Sequence, residues 1–486
     1  MKKKVIIIGS GFSSLAASCY LAKAGYNVTI LEKNSTVGGR ARQYKNEGFT
    51  FDIGPTWYWM PDVFERFFAD FNTKPSNFYT LEKLNPAYSV YFDKNDYITI
   101  EDSLEKICNT FETVEKGSSV QLKKFINKAK DNYNIAIKDL VYNPGVSPLE
   151  LVSLTTLKRL NQFFSSVKND VRKAFKNDRL IKILEFPVLF LGAKPSNTPS
   201  FYNFMNYADF GLGTFHPKKG MYQVILAIES LAKDLGVTIK TNAAVQKINV
   251  ENNYATQITT NNESFKADIV LSGADYWHTE TLLDKTYRQY SENYWNKKTF
   301  APSALLFYVG FDKKIKNVNH HTLFFDVDFD VHATTIYDDP KWPEKPLFYA
   351  SFPSVTDSST APENHEAGIF LIPLAPGLND TKELRERYFK KIISRLEDLT
   401  NQKVSNNIVF KRSYCVNDFI KDYNSYKGNA YGMANTLTQT AFLRPKLKSK
   451  KVKNLYFTGQ LTVPGPGVPP SLISGKLVSE LITKHH

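Results

Sequence analysis

Cysteine is scarce, and the common metal and nucleophile signatures are missing. The 486-residue chain has three cysteines, Cys19, Cys108 and Cys415, far apart and without C-x-x-C spacing. That argues against a disulfide scaffold, a zinc ribbon or an iron–sulfur centre and fits a reducing compartment. His320 and His321 are adjacent and so point in different directions, and with His332 and His365 they make no H-E-x-x-H or facial-triad spacing. No metal site is expected. There is no G-x-S-x-G for a hydrolase nucleophile. Long apolar runs are also missing. Met1-Lys2-Lys3-Lys4 is followed by only four apolar residues before Gly9, too few for a signal peptide. The longest uncharged stretch, 455–475, holds four prolines and four glycines, which break a spanning helix. The expectation is a cytoplasmic protein, associated with a membrane at its periphery.

At roughly 150 residues per domain the length suggests two to four domains. Apolar residues make up 42% and charged residues 23%, ordinary globular usage that argues against long disorder. Aromatics reach 14%, with 35 Phe and 27 Tyr, and hint at an apolar partner. Lys and Arg exceed Asp and Glu by 62 − 48, a formal charge of +14. A basic balance suits anionic lipid, a phosphate-bearing ligand or nucleic acid. The lysines are scattered and no RNA- or DNA-binding signature accompanies them, so nucleic acid is not expected.

Val5-Ile6-Ile7-Ile8 reads as a parallel strand buried on both faces. Gly9-Ser10-Gly11-Phe12-Ser13-Ser14 follows, then an alanine-rich helix that stops at Gly25, then a second strand, 28–31, ending at Glu32. Strand, tight turn, helix, strand and acid in this order make the glycine motif credible as a dinucleotide site. Gly9 permits the turn, Gly11 lets backbone amides approach a pyrophosphate, and Glu32, 21 residues after Gly11, can accept from ribose hydroxyls. Ser14 replaces the third glycine and is small enough to keep helix and strand close.

A second glycine loop decides which dinucleotide. Glu32-Lys33 leads into Gly38-Gly39-Arg40-Ala41, then Gly54-Pro55-Thr56-Trp57-Tyr58-Trp59. Two glycines beside an arginine give another close approach and a cation for diphosphate oxygens. Further on, Phe215-His216-Pro217-Lys218-Lys219-Gly220-Met221 precedes a helix, Val245 opens a strand, and residues 267–275 return to a sheet. At the end, strand 454–457 exits through Gly459-Gln460. Pro464-Gly465-Pro466-Gly467-Val468-Pro469-Pro470 then feeds a helix expected from Ser471, offering amides and a positive dipole end. In order and spacing these segments resemble the bacterial-type carotenoid (phytoene) desaturase family of the FAD-dependent amine oxidase superfamily.

The resemblance implies an α/β chain with an α+β second domain. A doubly wound, Rossmann-like FAD-binding domain would come from residues 1–85, 215–290 and 445–486. A mixed-sheet substrate domain would come from 86–214 and 291–444, with a helical, membrane-facing cap within about 105–200. Lys123-Lys124-Phe125-Ile126, Leu151-Val152-Ser153-Leu154 and Phe163-Phe164 give that cap its basic, amphipathic pattern. FAD contacts are implied at Gly9, Gly11, Ser13, Ser14, Glu32, Lys33, Gly39, Arg40, Ala41, Gly54, Pro55, Val245, Gly459, Gln460, Gly467, Val468 and Pro469.

No catalytic residue is assigned and no metal is expected. The implied reaction passes a hydride from an allylic carbon of a C40 carotene to flavin, with quinone or oxygen as the electron acceptor and anionic lipid at the surface. Lys218-Lys219-Gly220 and Trp57-Tyr58-Trp59 favour a later 3,4-desaturation of a γ-carotene-type or hydroxylated carotenoid over phytoene desaturation. The rivals are an amine or protoporphyrinogen oxidase, a redox-neutral carotenoid isomerase, and a non-catalytic prenyl-lipid binder like Rab GDP-dissociation inhibitor.

Overall fold

The buried run Val5–Ile8 is the centre of a five-stranded sheet in the computed structural model, which describes residues 2–138, 140–147, 150 and 159–486. The order is Leu455–Phe457, Ile269–Ser272, Lys4–Ile8, Asn27–Leu31 and Thr238–Lys240, all parallel. Val5 and Ile7 pack against the helices Phe12–Lys23, Tyr222–Asp234 and Val468–His485. Ile6 and Ile8 point the other way, into a cluster with Ile248, Ile258 and Trp295 beneath a three-stranded antiparallel layer. Helices on one face and a sheet layer on the other explain why this strand is apolar without alternation. The C-terminal helix crosses close over the first one at Gly475, where a Cβ would come within 2.6 Å of the Ser13 carbonyl oxygen.

A seven-stranded mixed sheet forms the second layer, in the order Ile408–Tyr414, Ser303–Phe311, Glu366–Leu374, Phe348–Ser351, His321–Phe324, Tyr88–Asp93 and Asp96–Ile100. Its neighbours are antiparallel except His321–Phe324 on Tyr88–Asp93. All nine residues of Ser303–Phe311 are buried. Leu305, Phe307, Val309 and Phe311 face the helix Lys382–Thr400, while Ala304, Leu306 and Tyr308 face Phe49, Phe51 and Ile53. The two-residue period thus serves two cores.

Helices Leu104–Val114, Ser118–Lys138, Val167–Ala174 and Asp178–Glu185 lie in the region expected to be a cap. In Ser118–Lys138, Leu122, Phe125, Ile126, Ala129, Tyr133, Ala136 and Ile137 are buried at helical spacing, and Lys123, Lys124, Lys128, Lys130 and Lys138 are exposed. Leu151-Val152-Ser153-Leu154 lies outside the described residues. Phe64, Phe67 and Phe68 are buried in the helix Pro61–Ala69, and Phe71 packs on Tyr20 just past its end. Among the described residues no helix is long and apolar enough to cross a membrane.

Candidate active site

A cavity of about 760 Å³ opens at the carboxyl ends of the parallel strands and continues between the mixed sheet and the helices that cover it. Residues immediately after four of the five strands line it: Gly9 to Gly11, Glu32 to Asn34, Gly273 to Asp275, and Gly459 with Gln460. This is where open α/β sheets bind ligands.

At its polar end Gly9 adopts φ +86°, which lets its N–H donate to the Leu31 carbonyl at 2.8 Å. Gly11 starts the twelve-residue helix Phe12–Lys23 with no side-chain cap, so its first amides face the cavity mouth at Phe12 and Ser13. Gly39 lies over Gly11, where a Cβ would approach its Cα to 3.2 Å. Glu32, 4% exposed, is held on both oxygens. Oε2 accepts from Ser10 N–H (2.9 Å) and Ser10 Oγ (2.6 Å), and Oε1 from Asn34 N–H (2.8 Å) and Asn34 Nδ2 (2.9 Å). Ala243 N–H donates to the Glu32 carbonyl at 2.8 Å, which brings Val245 to the same wall. Lys33 donates to the Lys421 carbonyl and to Asn424 Oδ1, and burial lowers its pKa.

Arg40 is a partly buried cation of the site, and desolvation lowers its pKa against the opposing pull of Asp275. Its Nη2 donates to Ser425 Oγ at 3.1 Å and to the Asn429 carbonyl at 3.4 Å. With its amide oxygen turned toward the guanidinium, Gln460 accepts from Nη2 (3.0 Å) and Nη1 (3.3 Å). The Tyr423 ring lies 5.1 Å from the charge. Nε has no hydrogen-bond partner. A Cβ on Gly54 would fall 2.0 Å from the Arg40 carbonyl oxygen, so only glycine lets Pro55, Thr56 and Trp57 turn into the cavity. An orphaned guanidinium N–H, uncapped amides and glycines packed backbone to backbone fit the diphosphate of FAD.

The C-terminal loop differs from expectation in one respect. The helix starts at Val468, not Ser471, after Gly467 at φ +120°. Pro469 and Pro470 lack N–H groups, and Ser471 N–H is used by the Gly467 carbonyl at 3.1 Å. Val468 is therefore the sole amide donor of that first turn, and the site receives the helix dipole rather than a row of donors. Gly459 sits against Ser13, where a Cβ on the glycine would lie 3.1 Å from Ser13 Oγ. Of the seventeen residues expected to touch cofactor, Ser14 alone does not line the cavity. Its buried Oγ has no partner, and it packs behind the wall on Gly273, where a Cβ would come within 2.0 Å of that oxygen.

Beyond Arg40 the wall turns apolar, with Trp57, Trp59, Phe186, Phe201, Phe204 and Phe329 among its side chains. Tyr337 and Tyr431 add polar hydroxyls to this wall, and three other polar side chains on it are bonded to neighbours. His332 accepts from Leu347 N–H at 2.9 Å and donates to the Pro373 carbonyl at 3.0 Å, and burial pulls its pKa down to about 4. Thr56 and Tyr349 bond to each other at 2.8 Å. No group of three or more His, Cys, Asp and Glu that could hold a metal occurs among the described residues. The Lys218-Lys219-Gly220 turn lies elsewhere: Lys219 N–H binds Asp357, and Asp52 accepts from Met221 N–H at 2.7 Å and Tyr222 N–H at 3.2 Å. That turn does not line the large cavity and carries no argument about substrate, whereas Trp57 and Trp59 do line it.

Asp275, Tyr423 and Asn424 also line the cavity and were not anticipated. Asp275 had a signal, an acid just past the buried strand Ile269–Ser272. The segment from Asp422 to Asn429 had none, since its role depends on meeting Arg40 across the fold.

The matched family model is that of the flavin containing amine oxidoreductases, over residues 12–483. The chain is 38% identical over 482 residues to a carotenoid 3,4-desaturase of Haloarcula japonica, covering 98% of this chain and 97% of that protein. It is 31% identical to a 4,4'-diapophytoene desaturase (4,4'-diaponeurosporene-forming) of Staphylococcus aureus, covering 99% of both. An oxidoreductase from Methanosarcina mazei shares the fold with TM-score 0.64 at 16% identity, over 98% of this chain and 100% of that one. A dinucleotide cradle that opens into an aromatic tunnel, on a chain matched end to end, makes this an FAD-dependent oxidoreductase that belongs to the carotenoid desaturases of the flavin containing amine oxidoreductase family.

Proposed function

We propose that the protein introduces the 3,4 double bond of a γ-carotene-type or hydroxylated carotenoid, in preference to desaturating phytoene. The observation that carries this is the graded likeness, 38% to the carotenoid 3,4-desaturase against 31% to the diapophytoene desaturase. The Trp57 and Trp59 rings, 5.2 Å apart by centroids, wall the passage just beyond Gly54 and Pro55 and suit a conjugated end group. In this reading the sixteen cavity-lining residues named above hold FAD, and Ser14 keeps helix and strand close behind it. Residues 1–85, 215–290 and 445–486 act as the cofactor unit.

Bound FAD supplies the hydride acceptor. The protein's part is to hold the polyene in register and exclude water from an electron-deficient carbon. Arg40 and the dipole of the helix Val468–His485 favour negative charge on the cofactor. The exposed lysines of Ser118–Lys138 face anionic lipid, from which the substrate enters, and quinone or oxygen removes the electrons.

The test is expression in cells that accumulate phytoene and, in parallel, in cells that accumulate γ-carotene, followed by pigment masses. Loss of two hydrogens from γ-carotene alone is expected. Loss from phytoene alone would assign the earlier step instead.

A further inference from the structure

We propose that Thr56, Tyr349 and His321 form the proton exit of the desaturation, with Tyr349 taking the proton from the carbon next to the hydride donor and passing its own to His321. The proposal rests on the desaturase chemistry, not on which double bond is made. Removing hydride leaves an allylic cation. Forming the double bond requires the neighbouring C–H bond to break, its electron pair becoming the π bond and its proton leaving. FAD takes up the hydride in the family reaction, so the protein needs only a proton acceptor within reach of an apolar cavity.

Few groups qualify. His332 lines the cavity but has both ring nitrogens committed to backbone. Asp275 lies at the diphosphate end, opposite Arg40. Thr56 and Tyr349 line the cavity directly after Gly54 and Pro55, with Thr56 Oγ1 2.8 Å from Tyr349 Oη and Tyr349 Oη 2.7 Å from His321 Nδ1. His321 is fully buried behind them and its Nε2 has no hydrogen-bond partner. Its face is covered by Trp57, ring centroids 4.0 Å apart and planes 11° from parallel. The titratable groups around it are Tyr349, His320 at 4.5 Å between centroids, and, one ring further, His216 with Asp357 at 3.2 Å.

Burial, with His216 close by, holds His321 well below its usual pKa, and burial holds the Tyr349 phenol well above its own. Imidazole is therefore neutral and free to accept, while the phenol stays protonated and acts as a conductor. So weak a base suffices because the acid is a carbocation. The sign for pH follows. Rate is full while His321 is neutral and is lost as pH falls through its depressed pKa.

The test uses the FAD-loaded enzyme with the carotenoid that it desaturates, in vesicles. Single-turnover formation of the carotenoid lighter by two hydrogens, without oxygen, is measured against pH for wild type, Tyr349→Phe and His321→Gln. In parallel, the Trp57 contribution to fluorescence, taken as the difference from Trp57→Phe, is titrated in protein without substrate. A stacked imidazolium quenches indole, so this signal reports His321 directly. Both variants are expected to keep flavin and slow formation of that product roughly 100-fold, a general-base effect. The wild-type acid limb should coincide with the loss of Trp57 fluorescence, and His321→Gln should abolish that titration. Wild-type rates in Tyr349→Phe and His321→Gln would overturn the relay, as would an acid limb unrelated to the Trp57 signal. A wild-type enzyme that no carotenoid bleaches would remove the desaturase reading and the relay with it.

Discussion

Glu32→Gln is a nearly isosteric change with a calculable consequence. Each Glu32 oxygen accepts from one backbone N–H, of Ser10 or Asn34, and from one side-chain donor of the same residue. Whichever way a glutamine is turned, its NH₂ meets a backbone N–H that cannot move away. In a site 4% exposed, one orphaned donor costs about 2–3 kcal/mol. In the apoprotein water relieves part of this; with cofactor in place it cannot. FAD affinity should therefore fall, by at most roughly 150-fold, at about 1.4 kcal/mol per tenfold.

Ser10→Ala works in the opposite direction. It vacates an acceptor site on Oε2 for a ribose hydroxyl and keeps the Ser10 N–H bond, so affinity should stay within about 1 kcal/mol of wild type. Flavin fluorescence on titration with apoprotein measures both. Equal losses in the two variants would refute the idea that the cost of Glu32→Gln comes from a donor left facing a backbone N–H.

Gly54→Ala places a Cβ 2.0 Å from the Arg40 carbonyl oxygen; a loss of about 3 kcal/mol and a colourless protein are expected in thermal melts and absorption spectra. Ser14→Ala removes a buried hydroxyl without a partner and should leave flavin content unchanged while stabilising by up to about 1 kcal/mol. Asp209 has its pKa raised by burial to about 7, although Tyr88 donates to it at 2.7 Å. A raised carboxyl stabilises the fold most below its unfolded pKa and loses that contribution as pH rises toward 7. Asp209→Asn should flatten the fall in melting temperature between about pH 4 and 7.

The parts of this site readable from sequence are those that sit close along the chain. Val5 to Ile8, Gly9, Gly11 and Glu32 form one strand–turn–helix–strand unit, so local pattern predicts it. Gly38 to Ala41 and the proline loop at 464–470 are likewise legible as glycine placements. What was not legible depends on long-range pairing. Gln460 is readable in the sequence as a cofactor contact, but its bond to Arg40 is not. Ser425 and Asn429 join it from a segment with no motif. His321 looks like half of a poor metal pair, because Tyr349 reaches it only through the pairing of His321–Phe324 with Phe348–Ser351. Pro470 is visible in the sequence, but its effect on amide donors follows only once the helix is seen to begin at Val468.

One measurement bears most directly on the claim that a single cavity joins flavin to a polyene. Purified, FAD-loaded protein is mixed without oxygen with γ-carotene in vesicles. The flavin absorbance and the pigment mass are followed in the same sample. The account predicts that each flavin bleached matches one carotenoid lighter by two hydrogens. A flavin that stays yellow with γ-carotene and with phytoene, or that bleaches while the pigment mass is unchanged, would contradict it.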